Sequence, residues 1–138
     1  MRVLGVDHGE KRIGLAVSDA TGTIARPLSV INHVSRAVDA AQVAAVGQEQ
    51  QTELIVVGQS FDEDGRANAA GRRAERFAEA LKTQTSLPII LWDESLSTAD
   101  ARDTSIQMGM PRKKRAGHLD DAAAAVILQS YLDSQKAS

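Results

Sequence analysis

Three acidic positions stand out because each closes or opens an apolar segment. Asp7 ends the run "RVLGV", Asp93 and Glu94 end "LPIILW", and Asp120 with Asp121 opens "AAAAVIL". A carboxylate at the tip of a buried strand must be hydrated, paired with a cation or bound to metal, because an isolated buried charge is costly. Three acids from separate elements, in a chain with no cysteine and no paired histidines, favour a hard octahedral ion such as Mg²⁺ or Mn²⁺. Two such ions about 4 Å apart can activate water and stabilise a leaving oxygen in phosphodiester hydrolysis.

The cationic residues that would meet a phosphodiester are local. The formal net charge is −2, so there is no global attraction to phosphate. A basic run, Arg112, Lys113, Lys114 and Arg115, stands just before Asp120, and Lys11 with Arg12 follows Asp7. Alone, "RKKR" reads as a solvated loop; beside the acidic helix start it becomes a candidate phosphate clamp. Arg66, Arg72, Arg73 and Arg76 read first as the solubilising face of a helix, with a second basic patch as the alternative. The three histidines show no ligand spacing, and His118 reads as a surface residue. Aromatics make up 3% of the chain, too few for base-stacking platforms.

These groups must be positioned by one domain, expected over residues 1–138, since the chain is too short for two domains closing on a cleft. "RVLGVD", "RIGLAVSD" and "TIARPLSVI" read as three antiparallel strands, with turns at His8 to Lys11 and in "DATGT". Pro27 lacks a donor and places the third strand at an edge. Helical spacing from Val34 to Gln51 puts Val34, Val38, Ala41 and Ala45 on one stripe. "ELIVVG" is a buried strand, and a helix with Ala70, Ala74, Phe77 and Leu81 on one face follows. "LPIILWDE" is the last strand. Ser97 caps a helix through "TADARDTSIQMG", "GMPRKKRAGH" is a loop, and "DDAAAAVILQSYLDSQ" is the final helix with Ala123, Val126, Ile127 and Tyr131 inward.

The order makes a mixed sheet covered by helices. With parallel, right-handed crossovers, Asp7, Gly58 and Asp93–Glu94 share the carboxyl edge, where open α/β sheets bind ligands. If the strand ending at Gly58 lies between the other two, their tips are on the order of 10 Å apart, a gap that hydrated metal can span.

"GVDHGEKRIGLAVSD", "IVVG", "WDESLSTADAR" and "LDDAAAAVILQSYL" resemble, in order and over essentially the whole chain, the motifs of the YqgF family. That family, also called RuvX, comprises pre-16S ribosomal RNA nucleases and Holliday-junction-resolvase-like proteins. The resemblance implies an RNase H-like α/β fold with strand order 3-2-1-4-5 and strand 2 antiparallel. It also implies Asp7, Glu94 and Asp120 as catalytic and metal-binding carboxylates, Asp120 being selected over Asp121 by counting back from "AVILQSYL". Two positions depart from the family pattern: Ser95 stands where the family has Arg, and "GQS" at Gly58 to Ser60 stands for "GLP".

The expected activity is metal-dependent cleavage at the 5′ end of precursor 16S ribosomal RNA. A Holliday-junction resolvase and a weakened RNA- or ribosome-binding module are the alternatives. A sugar-kinase or actin-like ATPase, suggested by "DHGEKRIG", would need a second domain. Expected partners are structured nucleic acid, either precursor rRNA or branched DNA, and ribosomal particles. The chain is expected to be cytoplasmic, without membrane contact or a signal peptide, and a monomer or weak homodimer; it has no apolar run near the roughly 20 residues of a membrane span.

Overall fold

The computed structural model describes residues 1–96 and 112–136, with side chains for 1–95 and 121–136. Strands β1 (Val3–His8), β2 (Arg12–Ser18) and β3 (Ala25–Asn32) form an antiparallel meander. Helix α1 (Arg36–Glu49), strand β4 (Leu54–Gln59), helix α2 (Ala69–Lys82) and strand β5 (Ile89–Asp93) follow. Glu94–Leu96 form a single 3₁₀ turn, and helix α3 (Arg112–Lys136) ends the described chain. The sheet order is β3-β2-β1-β4-β5, with β1, β4 and β5 parallel and β2 antiparallel to β1. This is the mixed five-stranded arrangement expected from the motifs.

The two sheet faces bury separate cores because strand side chains alternate. Leu4, Val6, Ile13, Leu15, Ile55 and Val57 pack under α1 and α2 around Val43, Phe77 and Leu81. Val3, Ala16, Leu54 and Val56 pack under α3 against Ala124, Leu128, Tyr131 and Leu132. Gln129 of α3 also ties down the edge strand, its Oε1 accepting from Ala25 N–H at 2.9 Å and its Nε2 donating to Thr23 O at 2.9 Å. Pro27 lies on that edge strand, beside a register shift opposite Leu15 and Ala16. The β2–β3 turn is closed by Asp19, whose carboxylate accepts from Thr21 Oγ1 and the Thr23 and Ile24 N–H groups. Those bonds favour its ionised form and lower its pKa to about 2.

Three expectations are corrected. The buried stripe of α1 is Asp39, Ala40, Val43 and Gly47, whereas Ala41 and Ala45 are exposed, as are Val34 and Val38. A count of apolar residues misses this face because a carboxylate sits in it. Asp39 is fully buried, and its oxygens are satisfied by Val34 N–H at 2.9 Å and His33 Nδ1.

The "RKKR" segment is helical, since α3 begins at Arg112. Lys, Arg and Ala are good helix formers, and their charge is no obstacle to a helix. On the same helix Ile127 and Tyr131 face the core as expected, but Ala124, Leu128 and Leu132 complete that face, leaving Ala123 and Val126 half-buried beside it. The helix expected from Ser97 onward lies outside the described residues. Among the described residues no helix is long and apolar enough to cross a membrane.

Candidate active site

Strand parity determines what the carboxyl edge presents. On β1, Gly5 faces α3 so closely that an added Cβ would meet Leu128 Cβ at 2.8 Å and the Ala124 carbonyl oxygen at 3.2 Å. Asp7, two residues on, keeps that parity and falls on the α3 face. His8 takes the opposite face, where its ring stacks on Phe77 of α2 with centroids 4.4 Å apart. On β4, Gly58 continues the parity of Leu54 and Val56, and its Cβ position lies 2.7 Å from Ile127 Cδ1. On β5, Ile90 and Trp92 pack on the α3 side, and Glu94 follows in the same parity. Glu94 Oε2 stands 3.2 Å from the Gly58 Cβ position.

Asp7, Gly58 and Glu94 thus share one face at one edge, with β4 between β1 and β5. A side chain at position 58 would press on both the Glu94 carboxylate and Ile127. Burial raises the Glu94 pKa above the ordinary carboxylate value, and the neighbouring Asp93 charge adds to the effect. Asp93 Oδ1 accepts from Ser95 N–H at 2.9 Å and from Ser95 Oγ at 2.7 Å, so the serine hydroxyl is held by its neighbour.

Helix α3 brings in the third acidic element. Seven residues make nearly two turns, so position 120 shares the stripe of Ile127, the residue over Gly58, and Asp121 that of Leu128, the residue over Gly5, each about 10 Å further toward the helix start. Asp121 is half-buried, and its Oδ1 is buried without a hydrogen-bond partner. The Asp120 and His118 side chains and those of Arg112, Lys113, Lys114 and Arg115 lie outside the described ones; their backbone forms the start of α3. Lys11 and Arg12 are exposed at the β1–β2 turn on this same edge.

Hard oxygen donors on one face, a raised Glu94 pKa and an orphaned Asp121 oxygen suit a hard divalent cation. Among the described residues, no three His, Asp or Glu side chains by themselves form a metal-sized cluster.

The "GQS" departure is absorbed into the fold. Gln59 is buried and its Nε2 donates to Glu75 Oε1 at 2.5 Å. Ser60 Oγ donates to Asn68 Oδ1 at 2.6 Å, and Asn68 caps α2 by accepting from Gly71 N–H at 2.8 Å. The Ser60 carbonyl occupies the space where Gly71 lacks a side chain, 2.1 Å from a Cβ position there.

A second charged feature corresponds to the lesser of the two readings of the α2 arginines, that of a second basic patch. Arg73 and Arg76, spaced i and i+3, line a cavity with His8 and His33 on the α1–α2 face. Their spacing was the available signal, and ordinary surface arginines share the identical spacing. Arg72 instead donates to the Ala67 carbonyl at 2.9 Å.

The model of the family RuvX, described as Holliday junction resolvase, matches residues 1–134. A protein of Thermoanaerobacter pseudethanolicus named "Putative pre-16S rRNA nuclease" is 42% identical over 137 residues, covering 99% of both chains. One of Anaeromyxobacter sp. with the same name is 43% identical over 137 residues, covering 99% of this chain and 100% of its own. Among solved structures, Thermus thermophilus RuvC in complex with Holliday junction substrate superposes with a TM-score of 0.68. It covers 100% of this chain and 97% of its own, at 18% identity, and so speaks for the fold. With a family match over nearly its full length and relatives above 40% identity, this chain belongs to the RuvX family.

Proposed function

We propose that this chain is a single-domain, cytoplasmic, metal-dependent endonuclease that processes the 5′ end of precursor 16S ribosomal RNA. The carrying observation is the shared face of Asp7 and Glu94, with Gly58 on the strand between them carrying no side chain to displace the Glu94 carboxylate. Asp7, Glu94 and Asp120 would hold Mg²⁺ or Mn²⁺, with the buried Asp121 oxygen as a further donor. When bound, such an ion supplies Lewis-acid stabilisation and a more acidic water. The carboxylates of this chain would hold the ion and accept the proton of the attacking water, while the basic groups of this edge orient the scissile phosphate.

Substrate would be held by the basic groups around this edge. Arg112, Lys113, Lys114 and Arg115 open α3, whose first turn contains no acidic residue. Four cations at the positive end of a helix dipole oppose local stability, and anion capture is the function that such a placement serves. Lys11 and Arg12 flank Asp7 on the same side.

The names of the relatives support an RNA substrate, and the likeness to RuvC keeps a four-way DNA junction as the second reading. Incubation of the protein with a precursor 16S rRNA fragment and with a four-way junction, with and without Mg²⁺, tests both. Metal-dependent cleavage of the RNA that disappears in Asp7→Asn and Glu94→Gln is expected. Cleavage that persists in both variants would remove this edge as the active site.

A further inference from the structure

On the face opposite Asp7 and Glu94 lies a cavity of about 350 Å³, lined by His8, Gly9, Glu10, His33, Ser35, Arg36, Arg73 and Arg76. Three elements converge there: the end of β1 with its turn, the start of α1, and the outer side of α2. Its lining carries three arginines against one glutamate, a charge balance that suits an anion. The one acid in the lining, Glu10, reaches Arg73 Nη1 at 3.3 Å but is itself well exposed, where such a pair is weak. His33 is engaged by the buried Asp39. Arg36 and Arg76 are exposed, and α1 directs its positive dipole end toward the cavity.

Two lining residues each carry a buried nitrogen without a hydrogen-bond partner, His8 Nδ1 and Arg73 Nε. Buried polar atoms are nearly always satisfied, and an orphaned guanidinium N–H calls for an acceptor. An anion in the cavity would supply one to Arg73 Nε–H and, in the tautomer protonated there, to His8 Nδ1–H. Arg36 and Arg76 would complete its neutralisation.

We propose that this cavity binds a backbone phosphate of the nucleic-acid strand flanking the scissile position, held mainly by Arg73, Arg76, Arg36 and His8. Asp7 and His8 are consecutive and point to opposite faces, so a strand crossing the sheet edge passes from the acidic site directly to this cavity. The phosphate chemistry stands on the cavity alone; its assignment to a nucleic-acid strand rests on the nuclease reading.

The test uses Asp7→Asn protein, so that RNA stays intact, with and without the exposed pair Arg36→Ala and Arg76→Ala. Binding of a precursor rRNA fragment is measured against salt, and the His8 ring resonances are followed by NMR during titration with inorganic phosphate. Loss of this one phosphate contact should flatten the slope of log K against log salt by about 0.7 on single strands and about 0.9 on duplex. Phosphate should move the His8 resonances in the parent protein and not in the double variant. Arg73→Lys, which keeps the charge and loses the Nε–H, should weaken both responses with the fold intact by circular dichroism.

An unchanged slope together with unmoved His8 resonances would overturn the proposal. His8 shifts with phosphate but no effect of the pair on RNA binding would overturn its nucleic-acid part and leave a free-phosphate site. Failure of the nuclease reading appears separately, as absence of cleavage by the wild-type chain.

Discussion

Gly58 and Glu94 are neighbours across β4 and β5: a Cβ at position 58 would stand 3.2 Å from Glu94 Oε2. The same Cβ would stand 2.7 Å from Ile127 Cδ1, the far end of a flexible side chain that can turn away. Gly58→Ala should therefore cost little stability yet displace the Glu94 carboxylate and lower cleavage. Gly5→Ala meets Leu128 Cβ at 2.8 Å and a helix carbonyl at 3.2 Å, neither of which yields without moving α3. It should lose about 1–3 kcal/mol, the range for overpacking. Urea unfolding and cleavage rates measured on both variants check the contrast; a larger stability loss in Gly58→Ala would reverse it.

Glu94 has its pKa raised by burial and by Asp93, so its ionised form is unfavourable in the metal-free fold. A raised acid binds its proton more tightly folded than unfolded, and its penalty appears as pH rises through the folded value. Glu94→Gln should be inactive, and in metal-free buffer its stability advantage over wild type should grow from acid to neutral pH. Thermal melts in chelator across that range measure the sign. Asp7→Asn, relieving repulsion at the same edge, should likewise be inactive and melt no lower than wild type without metal.

His8 shows the opposite linkage. Burial against Phe77 lowers its pKa from 6.5 to about 4, with Asp39 partly opposing the shift. The folded protein resists protonating this ring while the unfolded chain does not, so stability is present above pH 6.5 and falls toward pH 4. His8→Asn should reduce the acid sensitivity of the denaturation midpoint within that window. Equal slopes for the two proteins would show that other groups control it.

Ser95 offers one neutral hydroxyl, already donated to Asp93 Oδ1 at 2.7 Å. An Arg there can hold a scissile phosphate beside Glu94 with two parallel bonds. Hydrogen bonds to charged groups contribute about 1.5–3 kcal/mol, so Ser95→Arg should raise cleavage roughly ten- to a hundredfold. Single-turnover rates on the RNA fragment decide this, and a fall would mean that no phosphate lies beside Glu94.

The basic start of α3 should act on affinity rather than chemistry. Four consecutive helical positions spread around the axis, so only part of Arg112, Lys113, Lys114 and Arg115 can meet one strand at once. Replacing all four by Ala should flatten the salt slope by about one to two, at roughly 0.7–0.9 per lost phosphate contact. A slope equal to that of wild type would make these residues a solvated surface.

Much of the sheet was legible from residue order alone. Apolar runs of five to six residues, a Pro on the third strand and turn residues at "DATGT" determine the meander, because strand periodicity and turn chemistry are local. The carboxylates at strand ends marked the candidate edge for the same reason. What lay beyond sequence depends on partners distant in the chain. Asp39 is buried because His33 and the Val34 N–H receive it, so the buried face of α1 carries Asp39 and Val43 and turns away from Val38. Arg73 and His8 share a cavity only because α2 packs across β1, which places 65 residues of separation within one wall. Parity, a local property, divided Asp7 from His8; only the layering of helices on the two faces decided that one meets α3 and the other α2.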